Sequence, residues 1–241
     1  MILQYEGTKY QGWQKQESTD NTIQGKLENI LSKMSGAPVE VHGAGRTDAG
    51  VHAKGQVAHF KVDTDMSEKQ IWQYLNRYLP EDIAVISLKE AGDRFHARLN
   101  AVGKVYQYRI INSDIPHVFD RRYAYTVEKK LDLEKMRKAA DILEGTHDFK
   151  AFTSTKKGKK STVRTIESIT IEKNNDVITL TYKGDGFLYH MVRILSGTLI
   201  EVGLSERSVG SVGEALESME RKNAGILAPA KGLTLIEVLY H

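Results

Sequence analysis

VEVHGAGRTDAGVHAKGQVAHFKV, residues 39–62, decides how this chain is read. Val39 to His42 reads as a strand. Gln56, Ala58, Phe60 and Val62 alternate with Val57, His59 and Lys61, the two-residue period of a second strand. Between them, His42 to Ala53 sets Gly43, Gly45 and Gly50 around Arg46 and Asp48. Glycine lets a backbone turn sharply and lets a ligand approach closely. On its own, Asp beside Gly reads as turn chemistry. Glycine-rich phosphate motifs do not fit. A dinucleotide fingerprint from Gly43 and Gly45 needs glycine where Asp48 stands, and a P-loop from Gly45 needs Lys where Val51 stands.

Outward from that hairpin the element order is regular. Ile2 to Tyr5 is a short strand. Asn21 and Gln24 suit a capping box, and Ile23, Leu27, Ile30, Leu31 and Met34 form one helical stripe closed by Gly36. Ser67 and Gln70 open a second helix carrying Ile71, Tyr74 and Leu75, and Ile83 to Leu88 is a strand. The first half therefore runs β-α-β-β-α-β. In the second half, Val105 to Ile111 is a strand and Leu131 to Glu144 a helix. Val163 to Glu172 and Val177 to Lys183 form a hairpin, Phe187 to Val202 and Val209 to Glu220 are helices, and Leu233 to Leu239 is a closing strand. That is the same split βαβ plan with one helix added. The expected class is α+β: two ferredoxin-like βαββαβ halves, residues 1–100 and 101–241, with largely antiparallel strands and helices on one face. Such sheets host many functions, RNA binding among them.

Composition narrows the classes. Of 241 residues 40% are hydrophobic and 27% charged, enough apolar surface to exclude a disordered chain. No apolar run approaches the roughly 18 residues of a membrane helix, and Met1 to Tyr5 lacks the features of a signal peptide. A cytoplasmic protein is expected. Cysteine is absent, which excludes disulfides and thiolate metal sites. The eight His make no HExxH pattern, so no metal is expected. His52 and His59 read as hydrogen-bond partners, and Phe149 and Phe152 as packing residues. The net charge of +3 is uneven. Residues 101–160 hold 14 Lys/Arg against 8 Asp/Glu, or +6, leaving −3 elsewhere. Lys156, Lys157, Lys159 and Lys160 form the densest cluster, either a solvated loop or a surface for phosphates.

Gly45-Arg46-Thr47-Asp48-Ala49-Gly50-Val51-His52-Ala53 resembles the active-site signature of the tRNA pseudouridine synthase A family. The resemblance continues through Tyr5-Glu6-Gly7-Thr8, Gly12-Trp13-Gln14, Gln56-Val57-Ala58-His59-Phe60 and Leu79-Pro80-Glu81-Asp82-Ile83. Phe95-His96-Ala97-Arg98, Lys104-Val105-Tyr106-Gln107-Tyr108, Phe187-Leu188-Tyr189-His190-Met191-Val192-Arg193, Ala228-Pro229 and Gly232-Leu233 extend it over nearly the whole chain.

The resemblance implies an isomerase that converts uridine to pseudouridine at tRNA positions 38, 39 or 40. The base is flipped out, its N1–C1′ bond is cleaved and C5 bonds to C1′. No cofactor is implied. The partners implied are the anticodon arm of tRNA and a second copy of the chain. Asp48 becomes the catalytic carboxylate. Arg46 fills the space left by the flipped base, Tyr106 stacks on the uracil, and Arg193 pairs with Asp48. His52 and the lysines at 156, 157, 159 and 160 join the substrate-binding set. Periodicity alone reads Tyr106 and Tyr108 as core. It reads His190, Arg193, Gly197 and Glu201 as a solvated helix stripe. Two rivals remain at this stage: a non-catalytic RNA-binding module, and an enzyme for a small nucleotide or phosphate.

Overall fold

The computed structural model describes residues 1–155 and 161–241. Along the chain come β1 (Ile2–Tyr5), α1 (Ile23–Ser35), β2 (Val41–Gly43), β3 (His52–Phe60), α2 (Glu68–Tyr78) and β4 (Ile83–Ser87). Then follow β5 (Gly103–Ile111), β6 (Tyr125–Thr126), α3 (Leu133–Leu143), β7 (Gly145–Asp148), β8 (Val163–Asn174) and β9 (Val177–Gly184). The last are α4 (Met191–Gly203), α5 (Ser211–Ser218) and β10 (Leu233–Leu239). The result is the expected α+β class, with largely antiparallel strands. Two units are present. One comprises Met1–Val102 with Thr234–His241, the other Gly103–Leu233.

In the first unit β1 lies between β4 and β3, antiparallel to both, with Ile2 opposite Val57 and Tyr5 opposite Ile83 and Ala53. β10 joins β3 in parallel, and β2 pairs antiparallel with β3 at Val41–Phe60. The β1 pattern is exposed, buried, exposed, buried, so Leu3 and Tyr5 face the core. In the second unit β5, β9, β8 and β7 run in antiparallel order, and β6 adds to β5 in parallel. Tyr108, Ile110, Ile178, Leu180 and Tyr182 are fully buried on one face of that sheet. The polar partners on the other face, Gln107 and Thr181, bond to each other at 3.2 Å.

Several boundaries differ from the sequence reading, each for a local reason. α1 is capped by Thr22, whose Oγ1 accepts from Gly25 N at 3.1 Å, and not by Asn21. Gln24 is buried and spends its amide on Lys15 N, Glu28 and Val41 O. β2 starts late because Val39 N is used by Ser32 Oγ at the end of α1. β3 starts four residues early. Its first two residues, His52 and Ala53, are both buried, so alternation, which marks a strand with one solvated face, fails there. α4 starts at Met191, since His190 takes a left-handed φ of 65°. α5 stops at Met219 for the same reason, at φ 56°. α3 begins after Asp132, whose carboxylate caps Lys135 N at 3.1 Å. β6 and β7 were not expected. Both are short, and β7 (Gly-Thr-His-Asp) carries no apolar residue to signal it. The Ser67–Gln70 capping box is present as read.

Candidate active site

The loop between β2 and β3 is pinned to β3 itself and to the segment that follows β1. Ala44 N donates to Val57 O at 2.7 Å, Trp13 N to Thr47 O at 3.0 Å, and Gly50 N to Tyr10 O at 3.3 Å. Val51 N closes a turn onto Asp48 O at 3.1 Å. Gly50 supplies the positive φ of 78° that this turn requires. Trp13 is 2% exposed, and its indole occupies the space where a Cβ on Gly43 would stand, 2.5 Å away. This packing leaves Thr47 buried, Asp48 half-buried and Arg46 exposed. The three residues therefore present a carboxylate and a guanidinium at the rim of a rigid turn.

His52, just past the loop, is 3% exposed. Its Nδ1 accepts from Gly7 N at 3.0 Å and lies 3.8 Å from Glu6 Oε1. His59 Nδ1 likewise accepts from Ala97 N, at 3.2 Å. Burial, and then the neighbouring His96 and His42, hold its imidazole below the usual histidine range. Among the described residues no cluster of three or more His, Asp or Glu is arranged to hold a metal.

In the second unit Tyr106 lies on the buried face of β5, 7% exposed, with its ring edge-on to Phe187 at 5.4 Å. Tyr182, opposite it on β9, bonds to Ser196 of α4 at 2.9 Å. Tyr108 is core, as the period indicates. Its hydroxyl donates to Pro229 O at 2.9 Å, and Gly232 leaves room for its ring. Burial raises its pKa, opposed by the positive charge of Arg193. Phe149 and Phe152 are fully buried on a 3-10 turn.

The stripe of α4 that periodicity read as solvated is instead packed on the segment 225–228. Arg193 Nε donates to Ala228 O at 2.8 Å, and Ala228 N donates to Arg193 O at 3.2 Å. A Cβ on Gly197 would stand 2.0 Å from Ile226 O, and Glu201 accepts from Ile226 N at 3.0 Å and Arg207 Nε at 3.0 Å. An extended segment satisfied along its length by one helix face is invisible to a helical period. The Arg193 side chain is thus clamped at Nε. Lys156, Lys157, Lys159 and Lys160 lie outside the described residues.

A family model described as tRNA pseudouridine synthase matches residues 1–100 and 139–241. The chain belongs to the tRNA pseudouridine synthase family. A tRNA pseudouridine synthase A of Bacillus sp. (strain KSM-64) is 50% identical over 235 residues, covering 98% of this chain and 96% of the relative. A tRNA pseudouridine synthase A 1 of Clostridium tetani is 46% identical over 240 residues, covering all of this chain and 98% of the relative. As a tRNA pseudouridine synthase, the chain is an isomerase acting on tRNA. The matched stretches contain Arg46, Asp48, His52 and Arg193, while Tyr106 falls between them. The sequence reading assigned no role to Tyr5, Trp13 or Gln56, although they stand in quoted motifs. A polar Gln56 in the middle of a strand, between Gly55 and Val57, is the available signal.

Proposed function

We propose that this synthase isomerises uridine at one or more of tRNA positions 38, 39 and 40 in the anticodon arm, with Asp48 as the catalytic carboxylate. Uridine and pseudouridine are isomers. N1–C1′ breaks, C5–C1′ forms, the C5 hydrogen leaves as a proton, and N1 gains one. Asp48 acts as nucleophile or as the anion that stabilises positive charge at the sugar. Arg46, exposed beside it, takes the place of the flipped base and meets backbone phosphate, for which a planar, permanently charged group is suited. Tyr106 stacks on the uracil and receives the C5 proton. Arg193 supplies the positive charge that partners the Asp48 carboxylate. His52 supports the substrate side of the loop. The cluster of Lys156, Lys157, Lys159 and Lys160 grips phosphates away from the reacting base. The cytoplasm, where tRNA is processed, is the compartment this reading implies.

The observation that carries the reading is the half-buried Asp48 on a turn fastened at both flanks, inside a chain of this family. The test is release of tritium from tRNA labelled at uridine C5, followed by mapping of the modified positions. Wild type should release label from the anticodon arm; label retained there sinks the assignment. With Arg193→Ala, the rate at saturating tRNA should fall about 100-fold while tRNA affinity stays within about threefold, because a charge that acts on Asp48 serves the reaction more than binding. Equal rates would remove Arg193 from the mechanism.

The same reading includes a homodimer. Ile115, Val118 and Phe119 are 69%, 60% and 95% exposed on the loop between β5 and β6, an apolar set that an interface would cover. Sedimentation equilibrium should give about twice 27.1 kDa, and Phe119→Asp should shift the protein toward monomer. A monomeric wild type at micromolar concentration contradicts the dimer.

A further inference from the structure

Two buried side chains hold the Arg46–Asp48 turn, and the reaction scheme above does not use either. Gln56 is fully buried, and its Nε2 donates to Gly45 O at 2.9 Å and, at a longer 3.4 Å, to the Tyr5 hydroxyl. The Tyr5 hydroxyl lies 2.8 Å from Thr47 Oγ1. Counting protons fixes how the amide is turned. Gly45 O is a carbonyl and can only accept, so the Gln56 NH₂ must face it. The second hydrogen of the same NH₂ then goes to the Tyr5 oxygen, and the Tyr5 and Thr47 hydroxyls share one further hydrogen bond in which either can donate. The two contacts bracket Arg46, with Gly45 held on one side and Thr47 on the other. Trp13 N takes the Thr47 carbonyl as well.

That orientation leaves Gln56 Oε1 buried with no hydrogen-bond partner among the described residues. Turning the amide over would set its oxygen against the Gly45 carbonyl. The amide keeps its donor on the loop and leaves its oxygen without a protein partner among the described residues. Unmet buried acceptors are destabilising and uncommon, and proteins tolerate broken local rules chiefly at functional sites.

We infer that Gln56 and Tyr5 are positioning residues for the isomerisation, setting the Arg46–Asp48 turn through Gly45 and Thr47. The inference rests on the catalytic reading of Asp48. Burial pushes the Tyr5 phenol up to about 12, against the opposing effect of its hydrogen bonds to Thr47 and Gln56, so it stays a neutral hydroxyl at working pH. A chain that sets position at the expense of stability has a signature of its own: rate and stability part company.

The experiment uses Gln56→Met, Tyr5→Phe, Thr47→Val and Thr47→Ser in the full chain. Single-turnover rates at saturating tRNA, tRNA affinity, Tm and hydrogen exchange of the 44–51 amides are measured for each. Gln56→Met and Tyr5→Phe should slow the reaction about 10-fold or more, since small misplacements of reacting groups carry large rate penalties. Affinity should stay within about twofold for both, and Tm within a few degrees for Gln56→Met, because that change also removes the oxygen that has no protein partner among the described residues. Thr47→Ser should keep the rate, and Thr47→Val should lose it as Tyr5→Phe does. The loop amides should exchange faster in the slow variants. Rates within twofold of wild type, or a lowered Tm with an unchanged rate per folded molecule, overturn the inference. If wild type forms no pseudouridine, the catalytic reading has failed instead. Exchange then decides alone, and unchanged loop amides in Gln56→Met and Tyr5→Phe overturn the positioning.

Discussion

Asp48→Asn should abolish pseudouridine formation, with a loss of about 10³-fold or more in single-turnover rate, some 4 kcal/mol of barrier. The substitution keeps the shape of the side chain and removes only its charge and nucleophilicity. The backbone of the turn holds itself through Val51 N to Asp48 O and Trp13 N to Thr47 O, neither of which involves the carboxylate. The variant should therefore fold with a Tm within a few degrees of wild type. Affinity for tRNA should be unchanged or slightly tighter, because one anion fewer faces the phosphates. Tritium release from C5-labelled tRNA and filter binding of the same tRNA check the two halves. Residual release above a few per cent of wild type would show that another group carries the chemistry.

Gly12→Ala should lower stability sharply. Gly12 has φ +91°, a region that L side chains rarely adopt, and its added Cβ would stand 2.7 Å from Thr47 O and 3.2 Å from Asp48 C and Ala49 N. The φ strain contributes about 1–2 kcal/mol and the clash with a fixed backbone about 1–3 kcal/mol more. At roughly 2–4 °C per kcal/mol for a chain of this size, the Tm should fall by about 4–20 °C. Relief of the clash must move the Thr47–Ala49 backbone, so the rate should drop as well in the fraction that folds. Gly36→Ala is the control. Its φ is +73° with nothing within 4 Å of the added atom, so it carries the strain without the contact and should lower Tm by only a few degrees. Equal effects at the two positions would mean that contact with the catalytic loop is not what Gly12 protects.

Element order was legible because it depends on local patterning. The α1 stripe, the Ser67–Gln70 cap, the 163–183 hairpin and the closing strand at Leu233 are each written within about twenty residues. The boundaries that moved did so where a distant group claimed the backbone: Ser32 took Val39 N, and Gln24 left the cap to serve Val41. In α4, Arg193, Gly197 and Glu201 share a face by period, but only the chain at Ile226 and Ala228 shows that the face is packed. β7 had no apolar residue to announce it and exists because β8 offers an edge.

Residue types and spacings determined the α+β class, and the resemblance of a continuous signature to a known family pointed to the Asp48 loop, because both are written in neighbouring residues. Tertiary structure alone decided how that loop is held. Tyr5, Trp13 and Gln56 come from three separate segments, and whether an amide proton meets a carbonyl at 2.9 Å depends on how strands pair. Hydrogen bonds of that kind act over a few ångströms in space and follow no period along the sequence.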